Sequence, residues 1–341
     1  MQGAAALRTI RLLRPGTGAL PNITAVKDSI MFSSRHFRGP VAICSGATLA
    51  ACLVLVSTAR AAEPLVWKFA AGDVHHYQML QNMTMTINMG AGDQVSTIAQ
   101  DIDMTWAVDS LKADGAAVVT QRINRMQMKI NSAGQEMKFD SAAETPMPGP
   151  QGALLEPIFK ALTSSEFEVT MTPRGEITDV EVPEELIQAL QTAPGANKLL
   201  GDLGTKEGFK NLVRQGSLAL PAKLEDGEIW TTKVEMANPA IGKQSVETTY
   251  RYKGPREVEG DTLEVFIPSM EMEFGDGGES GTIEIVKQDS AGEILFNRKA
   301  GRMQSSVISQ NLDMKVTEAG QQASLKLNHK VELKWVDPEK K

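Results

Sequence analysis

The chain is poor in the residues that carry most enzyme chemistry. Its 341 residues include two cysteines, Cys44 and Cys52, and four histidines, His36, His75, His76 and His329. Both cysteines fall in the first sixty residues, which excludes a disulfide scaffold or a thiolate metal site beyond them. The patterns G-x-S-x-G, S-x-x-K and H-E-x-x-H are absent, as is a phosphate-binding glycine loop. With so few groups able to act as nucleophile or general base, the expectation is a protein that is not an enzyme and needs no cofactor. Basic charge is short as well. Setting aside residues 1–61 leaves 28 Lys and Arg against 41 Asp and Glu, a net charge of −13. That balance excludes nucleic acid and anionic membrane surfaces as partners. Long apolar runs are confined to Val41–Val56, which is shorter than the about 20 residues that cross a bilayer.

That run reads as the core of a signal peptide at residues 31–61. Met31 is a plausible start, Arg35, His36 and Arg38 form a basic head, and Ala59-Arg60-Ala61 is a small-x-small cleavage site before Ala62. The sequence is thus expected to be exported, to the periplasm or beyond. Leu49-Ala50-Ala51-Cys52 also fits a lipoprotein box, but Leu53-Val54-Leu55-Val56 stays apolar where a lipoprotein turns polar, so anchoring at Cys52 is the weaker reading. Residues 1–30 are an extension or a mis-assigned start.

Beyond Ala62 the dominant pattern has a period of two. Tyr77, Met79, Met83, Met85 and Ile87 share one parity, as do Ile98, Ile102, Met104, Trp106 and Val108 on the next segment. Leu325, Leu327, His329, Val331, Leu333 and Trp335 alternate with Lys326, Asn328, Lys330, Glu332 and Lys334. Such alternation marks strands with one dry and one wet face. A change of parity near Asn124 and Arg125 predicts a β-bulge. Pro146, Pro148, Gly149, Pro150 and Gly152 predict a linker, with Pro157 in the first turn of a following helix. Short amphipathic helices are predicted from Pro183, around Leu199–Leu203 and around Phe209–Val213, each too short to stand without a sheet beneath it. Strands return at Trp230–Met236, Ser245–Lys253, Thr262–Phe274 broken at Pro268, Thr282–Lys287, Glu293–Arg298 and Met303–Val316.

The expected fold is mainly β within the α+β class. It is a strongly curved antiparallel sheet or open half-barrel in two pseudo-repeated halves, with a helical segment on its concave face. The boundaries are an N-terminal β half at 62–145, a linker and helical lid with a hairpin at 146–226, a C-terminal β half at 227–337, and a tail at 338–341. The two halves echo one another at Gly72-Asp73 and Gly227-Glu228, and at Met126-Gln127-Met128 and Met270-Glu271-Met272.

The order of short motifs carries a resemblance. Trp67-Lys68-Phe69, Phe139-Asp140-Ser141, Arg174-Gly175-Glu176-Ile177, Gly227-Glu228-Ile229-Trp230 and Gly292-Glu293-Ile294-Leu295-Phe296 follow one another as in a family of uncharacterised secreted bacterial proteins, a domain of unknown function. The resemblance implies export and a β-rich fold, and it supplies no functional residues. The architecture more distantly resembles the curved half-barrels of lipoprotein carriers.

Methionine is in excess, with pairs at Met83/Met85, Met126/Met128 and Met270/Met272. Methionine fills irregular apolar space, so a curved sheet lined with it suits a lipid or acyl chain wherever the helices leave a groove. The candidate groove residues are Met83, Met85, Trp106, Met126, Met128, Leu186, Leu190, Phe209, Met270, Met272 and His329. Three other readings use the same residues. One is an envelope scaffold that binds another protein through its sheet edges. A second is a Cu(I) site joining methionines to His75 and His76, since thioethers favour soft ions. The third is a hydrolase built on His329.

Overall fold

The computed structural model describes residues 64–337 apart from 91, 144, 193–204, 239–241, 276–280 and 319. The expected signal peptide, the Ala61–Ala62 cleavage point, the piece at Leu199–Leu203 and the tail lie outside the described residues. The strands are β1 (Val74–Asn88), β2 (Asp93–Leu111), β3 (Ala117–Ser132), β4 (Gln135–Asp140), β5 (Glu166–Met171), β6 (Ile177–Glu181), β7 (Ile229–Asn238), β8 (Gly242–Val258), β9 (Asp261–Phe274), β10 (Thr282–Asn297), β11 (Arg302–Glu318) and β12 (Gln321–Val336). The helices are α1 (Gly149–Ser164), α2 (Glu184–Thr192) and α3 (Lys206–Gln215).

All twelve strands join one antiparallel sheet in the order β6-β5-β3-β2-β1-β12-β11-β10-β9-β8-β7, with β4 added on β3. The first and last strands meet at its centre, where Tyr77 faces Trp335 and Met79 faces Leu333. From there the chain works outward both ways, so β6 and β7, which the helices connect, are the two edges. Strands β1-β2-β3 and β7-β8-β9 are laid down in the same sense along the sheet, each after a turn at Gly72 or Gly227.

One short helix brings the edges together. In α3, Arg214 Nε donates to the carbonyl of Ile177 on β6 at 3.3 Å, and Asn211 Nδ2 donates to the carbonyl of Glu235 on β7 at 3.0 Å. Lys210 pairs with Asp179 of β6 at 3.4 Å. An α-helix is only about 10 Å across, so a sheet whose two edges touch the same helix must curl until those edges face each other. The result is a barrel wall with a helix in place of the closing strand pair. Thr205 caps that helix, its hydroxyl accepting from Gly208 N at 3.1 Å. Phe209, buried, packs edge-on against Phe167 with ring centroids 5.1 Å apart.

The parity read from the sequence sets inside and outside. Inward positions on the lower half of the wall meet Ile158 of α1, Leu186 and Leu190 of α2 and Phe209 of α3 in one packed core. The helices thus lie on the concave side, as expected. A second core joins Met126, Met128, Ile130, Met137 and Phe139 to Met147 and Phe159 under α1. The bottom is plugged by residues 65–69. Trp67 N donates to Pro173 O at 2.7 Å, Lys68 N to Gly301 O at 2.9 Å, and the Trp67 indole N–H to Leu218 O at 3.1 Å. Gly175, at φ +84°, lets that segment close in, since a Cβ there would sit 2.1 Å from Leu218 O.

Local expectations needed correction at three places. Pro268 does not break its strand. The amides of Met270 and Met272, on the same side of β9, donate to the side chains of Ser290 and Gln288, at 3.1 and 2.9 Å. Backbone pairing of β9 with β10 is confined to Glu264–Phe266. Pro268 therefore removes a donor that the ladder does not use, and Gly292 leaves room for its ring. Residues 282–297 form one strand with a bulge at Val286, not two, because β11 pairs with them from end to end. Helix α1 starts at Gly149, inside the expected linker, so Pro157 lies mid-helix. The bulge at Asn124 is present: Asp103 pairs with Arg125 and Met104 with Ile123.

Phe209→Ala should lower unfolding free energy by about 3–5 kcal/mol, as large core truncations do. Urea denaturation measures it, and hydrogen exchange should rise first in β6 and β7. An unchanged midpoint would show that α3 does not hold the wall closed.

Candidate functional site

Above the helices the inner wall changes character. Met83, Met85 and Ile87 of β1, Leu325 and Leu327 of β12, Ile283 and Ile285 of β10, and Met270 and Met272 of β9 all point inward and are only half-buried. Apolar side chains left half-dry form a surface that gains on being covered, at about 25 cal/mol per Å². A cavity of about 490 Å³ opens at the upper ends of β7–β9, lined by Lys233, Glu235, Lys243 and Glu273 as well as by Met236, Gln244 and Phe274.

This inner face carries no charge over most of its height. Among the paired inward positions of β8–β12 whose side chains are described, Glu264 near the bottom is the charged residue. Glu264, 4% exposed, accepts from Arg298 Nε at 2.5 Å and from the Tyr252 hydroxyl. Burial and that carboxylate push Tyr252 up to about 12. The convex face is the reverse, with Lys326, Lys330, Lys334, Glu271, Glu273 and Glu284 pointing outward. A transmembrane barrel needs an apolar outer band, so this wall is built the opposite way round. No described helix is long and apolar enough to cross a membrane.

A belt of neutral polar side chains crosses the concave face at mid-height. Gln81 Nε2 lies 2.8 Å from His329 Nε2. Gln100 on the belt, and Gln244 at the upper end of β8, direct their amides at thioether sulfurs, of Met128 at 3.7 Å and Met272 at 3.1 Å. Sulfur is a weak acceptor. Gln310 faces His329 across β11 and β12, is 5% exposed, and its Nε2 has no partner among the described residues. Burial lowers the His329 pKa below its ordinary value, so the ring stays neutral at pH 7.

The candidate groove residues therefore divide. Met126, Met128, Leu186, Leu190 and Phe209 are buried, and Trp106 packs against Tyr77 with ring centroids 4.8 Å apart. These six belong to the sealed floor. Met83, Met85, Met270, Met272 and His329 lie on the open upper face. Gln81, Gln100 and Gln310 were missed by sequence reasoning, although each breaks an apolar parity and could have been noticed for that. His75 and His76 are adjacent on a strand and point to opposite faces. His76 meets Thr105 at 3.3 Å, while His75 pairs in register with Trp106. They cannot join the methionines in one copper site. No group of three or more His, Cys, Asp or Glu that could hold a metal occurs among the described residues. The cross-strand neighbours of His329 are Met83 and Gln310, neither of them a catalytic partner.

The architecture defines a class: an open antiparallel β-barrel latched by a helix, plugged at one end and apolar within. Residues 114–269 match the model of a family of unknown function, DUF6263, in line with the resemblance seen in the motif order. No curated protein matches the chain. Among solved structures, one of lipovitellin described for its lipid–protein interactions is 11% identical, with a TM-score of 0.46, covering 79% of this chain and 26% of that one. The chain thus spans about a quarter of the lipovitellin chain it matches. A β-barrel-like protein of a domain of unknown function from Brucella abortus is 10% identical, with a TM-score of 0.20 and coverage of 79% and 100%. An outer membrane channel of Pseudomonas putida F1 is 7% identical, with a TM-score of 0.20 and coverage of 79% and 97%. The fold itself rests on the strand pairing given above.

Stability should fall as pH drops below about 6.5, the ordinary histidine value. His75 and His329 are both lowered by burial in the fold, so the unfolded chain takes up protons that the folded chain refuses. His329→Gln should flatten part of that slope in melting temperatures measured from pH 7.5 to 5.5, above the range where the carboxylates titrate. An identical slope in the variant would contradict the burial of His329.

Proposed function

We propose that the protein is a non-enzymatic, exported β-domain that holds a hydrophobic ligand of the lipid or acyl-chain class on the upper half of its concave face. The observation that carries the reading is the contrast between two halves of one inner wall. Below, helices α1–α3 and the plug at Trp67 cover the apolar positions. Above, the same alternation continues and, apart from Leu312, Met314 and Val246, most of the apolar positions stay half-exposed. Ligand sites of this kind are concave, mostly apolar and supplied with a few neutral polar groups. The site sits above the helices and not beneath them, because α1–α3 pack against the lower half of the wall. Export is supported by the signal-like run at Val41–Val56. The scaffold reading is disfavoured where α3 meets the edges, since it already occupies one carbonyl of β6 and one of β7.

The test is fluorescence titration with a pyrene-labelled acyl chain. Wild type should bind it, and Leu327→Arg should weaken binding at least tenfold, because a charge would enter an uncharged face. Leu327 is half-exposed, so the melting temperature should change little. Failure of wild type to bind, or equal binding by the variant, would sink the reading.

A further inference from the structure

Resting on that reading, we infer that the polar belt selects the ligand's head: Gln310, flanked by His329 and Ser290, takes the uncharged carbonyl oxygen of an acyl ester whose chain lies along the upper wall. The argument starts from an unmet donor. A buried amide N–H without an acceptor is costly, and the Gln310 Nε2 has none among the described residues although the residue is 95% buried by its 5% exposure. Bulk water does not reach it. Leu312 and Met314 stand above it on the same face of β11, both buried. An acceptor arriving there must therefore come on a molecule that inserts among apolar side chains, which describes an oxygen carried by a hydrocarbon.

The neighbouring groups restrict what that oxygen is. Gln310 faces His329 on one side and Ser290 on the other. Ser290 Oγ already accepts from Met270 N, and Gln81 is engaged with His329. The donors on this belt are amides, and the nearby inward positions carry no Lys or Arg. An ionised carboxylate would enter without a counter-charge, which is strongly unfavourable in an apolar site. His329, kept neutral by burial, does not supply one. A carbonyl in an ester accepts from the Gln310 amide and brings no charge. The two other inward amides that reach only thioethers, Gln100 and Gln244, extend the same neutral character along the wall.

The experiment compares three ligands of similar length, each displacing the pyrene-labelled acyl chain at pH 8: methyl laurate, laurate and tridecane. Wild type should prefer methyl laurate to tridecane by about tenfold, the worth of one hydrogen bond formed in a dry site, and should bind laurate weakest. Gln310→Leu should bring methyl laurate and tridecane together, with tridecane binding retained and the melting temperature equal or higher. Gln310→Met, of similar length and flexibility, serves the same comparison if the leucine variant does not fold. Equal binding of ester and alkane by wild type would overturn the inference while leaving the apolar reading intact. Tightest binding of laurate would overturn it too. Absence of binding by all three would overturn both.

Discussion

A curled sheet has two edges, and everything else in this molecule depends on how they are held. Their backbone groups are unpaired, and an exposed edge invites another chain to add to it. Here α3 meets both edges, with Arg214 on the carbonyl of Ile177 and Asn211 on that of Glu235. It can do so because Thr205 starts it, because its apolar side carries Phe209 into the core, and because its polar side chains reach sideways to either edge. Strand pairing across the same gap would have drawn the wall shut.

The same arrangement sorts the apolar residues by height. Side chains of one parity line the wall from bottom to top, but only the lower ones meet helices and the plug formed by Trp67. The methionines show the division. Met126 and Met128 are sealed beneath α1, and Met83, Met85, Met270 and Met272 face an open interior. Between the two regions lies a row of neutral amides and one imidazole. A hydrophobic wall interrupted by neutral polar groups, and free of inward charge at that height, is suited to molecules that are mostly hydrocarbon with a small uncharged polar part.

The seam between β9 and β10 is the second place where local chemistry shapes the interior. Pro268 lacks the donor that a ladder would use, and Ser290 and Gln288 answer the remaining amides of β9 with side chains. These are inward-facing polar residues, so the belt serves the wall as well as the cavity. That double duty explains why a proline and a glycine, Pro268 and Gly292, stand opposite each other in strands that otherwise read as regular.

The sequence by itself determined the strands, their faces and the mainly β class, because a period of two on a pleated backbone leaves no choice of which side is dry. It also determined the bulge at Asn124 and the inward direction of His329. It could not determine which dry positions are covered. Met83 and Met126 obey the same alternation, and only the tertiary placement of α1 separates a filled core from an open face. Pro268 and Pro157 were misread for a related reason, since the effect of a proline depends on whether its missing N–H had a partner waiting. Gln310 is the clearest case. In sequence it is a polar residue between Ile308 and Leu312, and only the packed wall reveals that its Nε2 is buried with no partner among the described residues.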